Sequence, residues 1–247
     1  MIEYGVAPGI HLVSQANVNC YVVEAEDGIT LIDAGLPGMW HEVMEVLKAR
    51  QRMPYEVKAL VLTHGHFDHL GFALRAQKSL GIPVIIHHED AELATTPYRY
   101  ATERNRLLYP LGHPRSLPLL GRMVAAGALT VKGVHGVQLM TAGSTLQVPG
   151  FPVPVHTPGH TDGHCILHFP DRRAVFTGDA LVTLDPYTGE AGPQIVAGAA
   201  TKDTAQAISS LDAIALTEAD TVLPGHGAVW SEGAEAAVTA AREVGRH

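Results

Sequence analysis

Four times in 247 residues, an apolar strand-like run breaks into a glycine-containing turn that carries side chains able to bind a metal. Ala59-Leu60-Val61-Leu62 leads into Thr63-His64-Gly65-His66-Phe67-Asp68-His69, and Val153-Pro154-Val155-His156 into Thr157-Pro158-Gly159-His160-Thr161. Ala174-Val175-Phe176 leads into Thr177-Gly178-Asp179-Ala180, and Thr221-Val222-Leu223 into Pro224-Gly225-His226-Gly227. Strand ends in α/β proteins converge at one edge of the sheet. Glycine lets the backbone turn sharply there and leaves room for an ion. The five histidines and two aspartates of these turns therefore demand a fold in which distant strand ends meet.

The first turn is the densest, with three imidazoles and a carboxylate in six consecutive residues. In a packed core each of these groups would need its own polar partner. Imidazole and carboxylate instead suit zinc, iron or manganese. In a loop, the His64/His66 spacing turns both rings toward one ion, while Asp68 and His69 turn toward a second point nearby. Histidine is also the compositional anomaly of the chain, with 15 copies.

The remaining pattern is α/β. Ile10–Val13, Cys20–Val23 and Ile29–Ile32 read as strands, the last two joined at Glu26-Asp27-Gly28 as a hairpin. Met39–Arg50 has helical spacing, Val57–Leu62 is a buried strand, and His69–Leu80 is helical up to Gly81. Ile82–Ile86 is a strand and Glu89–Ala94 a short helix. Strands follow at Val137–Met140, Thr145–Val148, Val153–His156, Cys165–Phe169 and Ala174–Thr177. Lys202–Leu216 is an amphipathic helix, Thr221–Leu223 a strand and Glu232–Val244 a closing helix. Both halves suit two sheets packed face to face with helices outside.

Residues 95–127 break this rhythm: five arginines face one acid, Glu103, three tyrosines lie among them, and four prolines interrupt the stretch. We read it as an inserted helical cap or lid on a single domain spanning 1–247, with Arg99 and Arg104 as candidate substrate contacts. The formal charge of −8 argues against a general nucleic-acid binder. No apolar run is long enough to span a bilayer, and Met1-Ile2-Glu3-Tyr4 does not begin a secretory signal. The two cysteines, Cys20 and Cys165, read as reduced core residues. The expectation is a cytoplasmic protein acting on a small molecule; the pattern carries no signal for oligomeric state.

With these stations in view, the chain resembles the metallo-β-lactamase superfamily, whose H-x-H-x-D-H signature is met by His64, His66, Asp68 and His69. The later single-ligand stations match His160, Asp179 and His226 in order. The resemblance implies an αββα sandwich with a two-metal site at one sheet edge. His64, His66 and His160 would hold the first ion, and Asp68, His69 and His226 the second, with Asp179 bridging. Class B1 lactamases carry Cys at the place of Asp179 and Arg at the place of His69, so the chain departs from that subclass. Thr157–Thr161 followed by Gly163-His164 is most similar to glyoxalase II-like sequences, although the C-terminal helical domain of those enzymes has no counterpart here. Lactonases carry a Tyr after the bridging Asp, and Tyr187 lies in that neighbourhood at longer spacing.

The chemistry implied is hydrolysis of a carbonyl ester-type bond (thioester, lactone or ester) by a hydroxide held between two divalent ions, zinc first, with iron or manganese acceptable to the same donors. Asp68 would orient the nucleophile and carry its proton. Asp33, at a strand end, and His164, four residues after His160, are candidates for bracing the ligands. The alternatives are a mononuclear iron, oxygen-dependent enzyme on the same fold, and a β-lactam hydrolase.

Overall fold

The computed structural model describes residues 1–106 and 108–247; Leu107, within the 95–127 segment, lies outside the described residues. The first sheet has seven strands in sequence order: β1 (Ile2–Ala7), β2 (Ile10–Gln15), β3 (Val18–Ala25), β4 (Gly28–Ile32), β5 (Val57–Val61), β6 (Val84–His87) and β7 (Gln138–Met140). β1 to β4 form an antiparallel meander, and β4 to β7 run parallel. Parallel neighbours need crossovers. Helix α1 (Trp40–Ala49) links β4 to β5, and α2 (Ala73–Leu80) links β5 to β6. The last crossover holds α3 (Ala91–Thr95), α4 (Tyr109–Gly112) and α5 (Ser116–Ala125).

The second sheet begins with the antiparallel strands β8 (Val153–His156), β9 (Cys165–Phe169) and β10 (Ala174–Gly178). After a hairpin of β11 (Val182–Leu184) and β12 (Ala191–Gln194) and helix α6 (Thr204–Ala215), strand β13 (Thr221–Pro224) joins β10 in parallel. Helix α7 (Ala234–Val244) closes the chain. Among the described residues, no helix is long and apolar enough to cross a membrane.

Alternation along the strands sorts the core into three apolar layers. Tyr21, Val23, Ile32 and Val61 of the first sheet meet Leu167, Phe169 and Phe176 of the second. On the other face of the first sheet, Cys20, Val22 and Leu31 pack on Val43 and Leu47 of α1 and Ala73 and Ala76 of α2. Ile166 and Val175 pack on Leu211 and Ile214 of α6 and Ala237 and Ala241 of α7. Three apolar layers between four layers of structure give the αββα sandwich.

Four departures from the sequence reading have physical causes. Thr145–Val148 is not a strand: pairing with 152–155 would need N–H groups that Pro152 and Pro154 lack, and only their carbonyls are used, by Leu146 and Gly143. Helix α2 starts at Ala73 rather than His69, because the Gly71 and Phe72 amides bond Gly35 and Ala34 instead. A Cβ at Gly71 would collide with that backbone. Strand β1 escapes notice because Gly5, at φ +68°, breaks its register, and β12 because it contains Gly192 and Pro193.

Candidate metal centre

The ends of β5, β8, β10 and β13 carry the four turns to one edge of the sandwich. An antiparallel bridge between Val18 and His226, with Asn19 donating to the Pro224 and Gly227 carbonyls, ties the last turn to the first sheet. There the donor atoms of His64, His66 and His160 lie within 4.8 Å of one another, as do those of Asp68, His69 and His226. Asp179 spans the two groups: its Oδ1 is 3.3 Å from His69 Nε2, and its Oδ2 is 3.4 Å from His160 Nε2 and 3.3 Å from His226 Nε2. Gly225 is needed for this approach, since a Cβ there would strike Asp179 and stand 2.7 Å from the His69 ring.

Hydrogen bonds at the outer nitrogens aim the rings inward. Thr201 spends its hydroxyl proton on the Val196 carbonyl, so it accepts from His160 Nδ1 (3.1 Å) and leaves Nε2 as the lone pair. Thr63 likewise donates to Asp33 (2.9 Å) and accepts from His64 Nδ1 (3.1 Å). His69 Nδ1 donates to Asp33 Oδ2 (2.9 Å), and His226 Nδ1 to the Asn17 carbonyl (3.0 Å). Asp33 thus braces two rings, directly or through Thr63. His164 accepts from the Asp179 amide (3.1 Å) and donates to Thr157 Oγ1 (2.9 Å). Such outer partners fix tautomer and direction.

All seven donors are buried, yet His64 Nε2, His66 Nε2, His69 Nε2 and Asp179 Oδ1 have no hydrogen-bond partner among the described residues. Buried polar atoms left without a hydrogen bond are costly unless a cation takes up their lone pairs. The charges agree. Burial pushes His66 and His160 down to about 3, so both present lone pairs. Burial also opposes charge on His226 and His69, but Asp179 and Asp68 raise the first to about 10, and Asp179 and Asp33 hold the second well above its ordinary value. Against its own burial, Asp179 is kept well below the usual carboxylate range by His226 and His69. Cationic charge is thus favoured among these donors, and divalent metal fits them.

The profile of the metallo-beta-lactamase superfamily matches residues 14–226. The chain belongs to that superfamily and is a metal-dependent hydrolase. An uncharacterized protein of Mycobacterium tuberculosis is 30% identical over 225 residues, covering 88% of this chain and 89% of its own length. A probable metallo-hydrolase of Bacillus subtilis, YflN, is 29% identical over 240 residues, covering 90% and 84%. The fold is similar to that of a metallo-beta-lactamase family protein of Thermus thermophilus, with TM-score 0.67 and 24% identity over 96% of this chain and 78% of that one.

In this metallo-beta-lactamase superfamily member, three further side chains close over the donors. The Tyr100 ring lies 3.9 Å from that of His66, the Arg106 guanidinium stands 4.9 Å over Tyr100, and Tyr187 shares the lining of one small cavity with Tyr100. Tyr187, Tyr100, Asp68, Asp179 and His226 line a cavity of about 10 Å³, room for roughly one water. A larger cavity, about 320 Å³, shares Tyr100 with it and is lined also by His160, Arg99 and Lys202, among others. Tyr187 thus reaches the centre despite its longer spacing, and Arg99 lines the outer cavity. Arg104 does not take the place expected of it: it lines neither cavity, is exposed, and bonds Gly198 through its backbone. Arg106 is the guanidinium near the centre.

Asp90 escapes a reading of the sequence. It accepts from Gly65 N (2.9 Å), Thr161 Oγ1 (2.7 Å) and Gly163 N (2.8 Å), clamping the first metal loop to the second. A single acid at a helix start carries no mark of that task.

Proposed function

We propose that this hydrolase holds two divalent ions, His64, His66 and His160 taking one, Asp68, His69 and His226 the other, and Asp179 both. Its substrate is then a carbonyl ester-type bond in a thioester, lactone or ester. The observation that carries the reading is the spanning position of Asp179, within 3.4 Å of a ring from each group. The second group is complete, which favours hydrolysis by a pair of ions over oxygen chemistry at a single iron. Bound there, two divalent ions would polarise a carbonyl oxygen and bring the pKa of a shared water toward neutrality. Zinc suits the nitrogen-rich donors best, and iron or manganese would also be accepted.

The chain's own groups supply the rest. Asp68, beside the small cavity, takes the proton that the attacking water gives up and returns it to the leaving oxygen or sulfur. Burial keeps the Tyr187 and Tyr100 phenols above their ordinary range, so both stay protonated and donate to the oxygen that gains charge. A cavity the size of one water admits no ester, so the segment bearing Tyr100 moves aside for substrate; in this reading 95–127 is a lid on one domain. The turn from Thr157 to His164 supports a glyoxalase II-like branch. The unpaired, buried Cys20 and Cys165 support a cytoplasmic setting.

The test is a hydrolysis screen of thioesters, lactones, β-lactams and aryl esters on protein of measured metal content. Two ions per chain and turnover of an ester-type substrate that chelation abolishes are expected. One iron per chain with oxygen consumption would overturn the reading, and turnover confined to β-lactams would overturn its substrate class.

A further inference from the structure

A second group of donors gathers where the ends of β6 and β8 come together, one in each sheet. His87 is the last residue of β6, and the next two residues are His88 and Glu89. The donor atoms of these three lie within 4.8 Å of one another. His156, the last residue of β8, stacks its ring on that of His87 at 4.5 Å and 21°, and the His88 ring lies 4.3 Å from His87 on a different tilt. Glu89 Oε2 is 3.3 Å from His156 Nε2 and 3.7 Å from His87 Nδ1. None of these four belongs to the seven donors of the paired centre.

The inner wall of this cluster is unsatisfied. His87 is only 5% exposed, and its Nδ1, facing Glu89, makes no hydrogen bond among the described residues. A buried ring nitrogen without a partner is costly. A solvated, helix-capping histidine pair would have turned that atom to water. His88 and Glu89 on the other side are exposed, so an ion has a path in. His156 Nε2 meets the Asp162 carbonyl at 2.7 Å, a bond it exchanges for the ion.

We propose that His87, His88, Glu89 and His156 form a separate divalent-cation site, suited to zinc or another first-row ion that favours imidazole. An ion there links the ends of the two sheets through one inner and three outer donors. It also abuts the main centre. Glu89 and His160 line the same cavity, and Asp90, the next residue, clamps both metal loops. Occupancy therefore stiffens the frame that holds the paired centre without supplying any of its ligands.

The experiment is equilibrium dialysis of the zinc-loaded enzyme against rising free zinc, comparing wild type with His88→Ala/Glu89→Gln and with His156→Gln. Wild type should bind one ion per chain more than the double variant, whatever the content of the main centre. His156→Gln should weaken that extra ion by at least about tenfold. The extra ion should also raise the thermal midpoint of wild type and leave that of the double variant unchanged. Equal metal content in wild type and double variant at large zinc excess overturns the proposal, as does an extra ion that His156→Gln leaves undisturbed.

Discussion

The turn from Thr63 to His69 and the segment from Thr95 to Gly127 face each other across the same small cavity, and they are built in opposite ways. In the first, backbone and side chains are held by other parts of the sandwich. Asp33 takes the Thr63 amide and hydroxyl and the His69 ring, Asp90 takes the Gly65 amide, and the Cys165 amide bonds the Thr63 carbonyl. The second has, among its described residues, helices of 4 and 10 residues, and its stretch near the site is tied down by part-buried bonds and ring contacts: Arg106 on the Tyr98 carbonyl, the Tyr98 hydroxyl on the Ala128 carbonyl, Thr204 on the Glu103 carboxylate, and Tyr100 against His66 and Arg106. Ligand geometry must hold to fractions of an ångström, whereas a cover must yield to admit substrate. In the proposed function, bond chemistry belongs to the first region and choice of molecule to the second.

The sharpest way to break that division is to change Asp68, which belongs to the rigid turn but faces the cavity. Asp68→Ala should lower kcat by about 10²–10⁴-fold, the range for a positioned proton carrier. The assay belongs on protein with both ions counted, so that lost chemistry is not confused with lost metal. A variant carrying two ions per chain and turning over at near-wild-type rate would remove Asp68 from the reaction.

A smaller effect is expected one layer out. Asp33 sits at φ +57°, a conformation asparagine tolerates, so Asp33→Asn preserves the turn. An amide there accepts from Thr63 but sets its NH₂ group against His69 Nδ1–H. The ring then changes tautomer and points Nε2–H at the ion. The second ion should bind about 10–100-fold more weakly while the first is nearly unaffected. Competition with a chelator measures both. Unchanged affinity for the two ions would show that Asp33 only turns the chain.

The two regions also differ in how much the sequence discloses. A strand followed by glycine and a single histidine is readable because few other roles need that combination at the end of an apolar run. His160, Asp179 and His226 are thus legible although roughly 90 to 160 residues separate them from the first turn. Their supports are partly hidden. Asp33 and His164 lie beside recognisable stations, but Asp90 stands in His88-Glu89-Asp90-Ala91, where an acid at a helix start is ordinary. In 95–127 the charge and ring content is readable, but which arginine turns inward depends on tertiary packing that has no sequence period. The sequence points to Arg104 where the structure places Arg106. In the same way, the failed strand at Thr145–Val148 follows from prolines in its would-be partner rather than from its own residues.

The mildest test divides the cover against itself. Arg99 lines the outer cavity beside His160, whereas Arg104 lines neither cavity. If charge in this segment selects an anionic acyl group, Arg99→Ala should raise KM for acidic substrates about two- to fivefold, the worth of one exposed ion pair. KM for neutral substrates should stay where it is, and kcat should not change. Arg104→Ala should alter neither constant for either substrate class. Both residues are exposed, so neither variant endangers the fold, and raised salt should erase the Arg99 effect. Equal shifts for acidic and neutral substrates, or equal shifts in the two variants, would show that the arginines keep this segment soluble and that selection lies with the Tyr100 and Tyr187 rings beneath it.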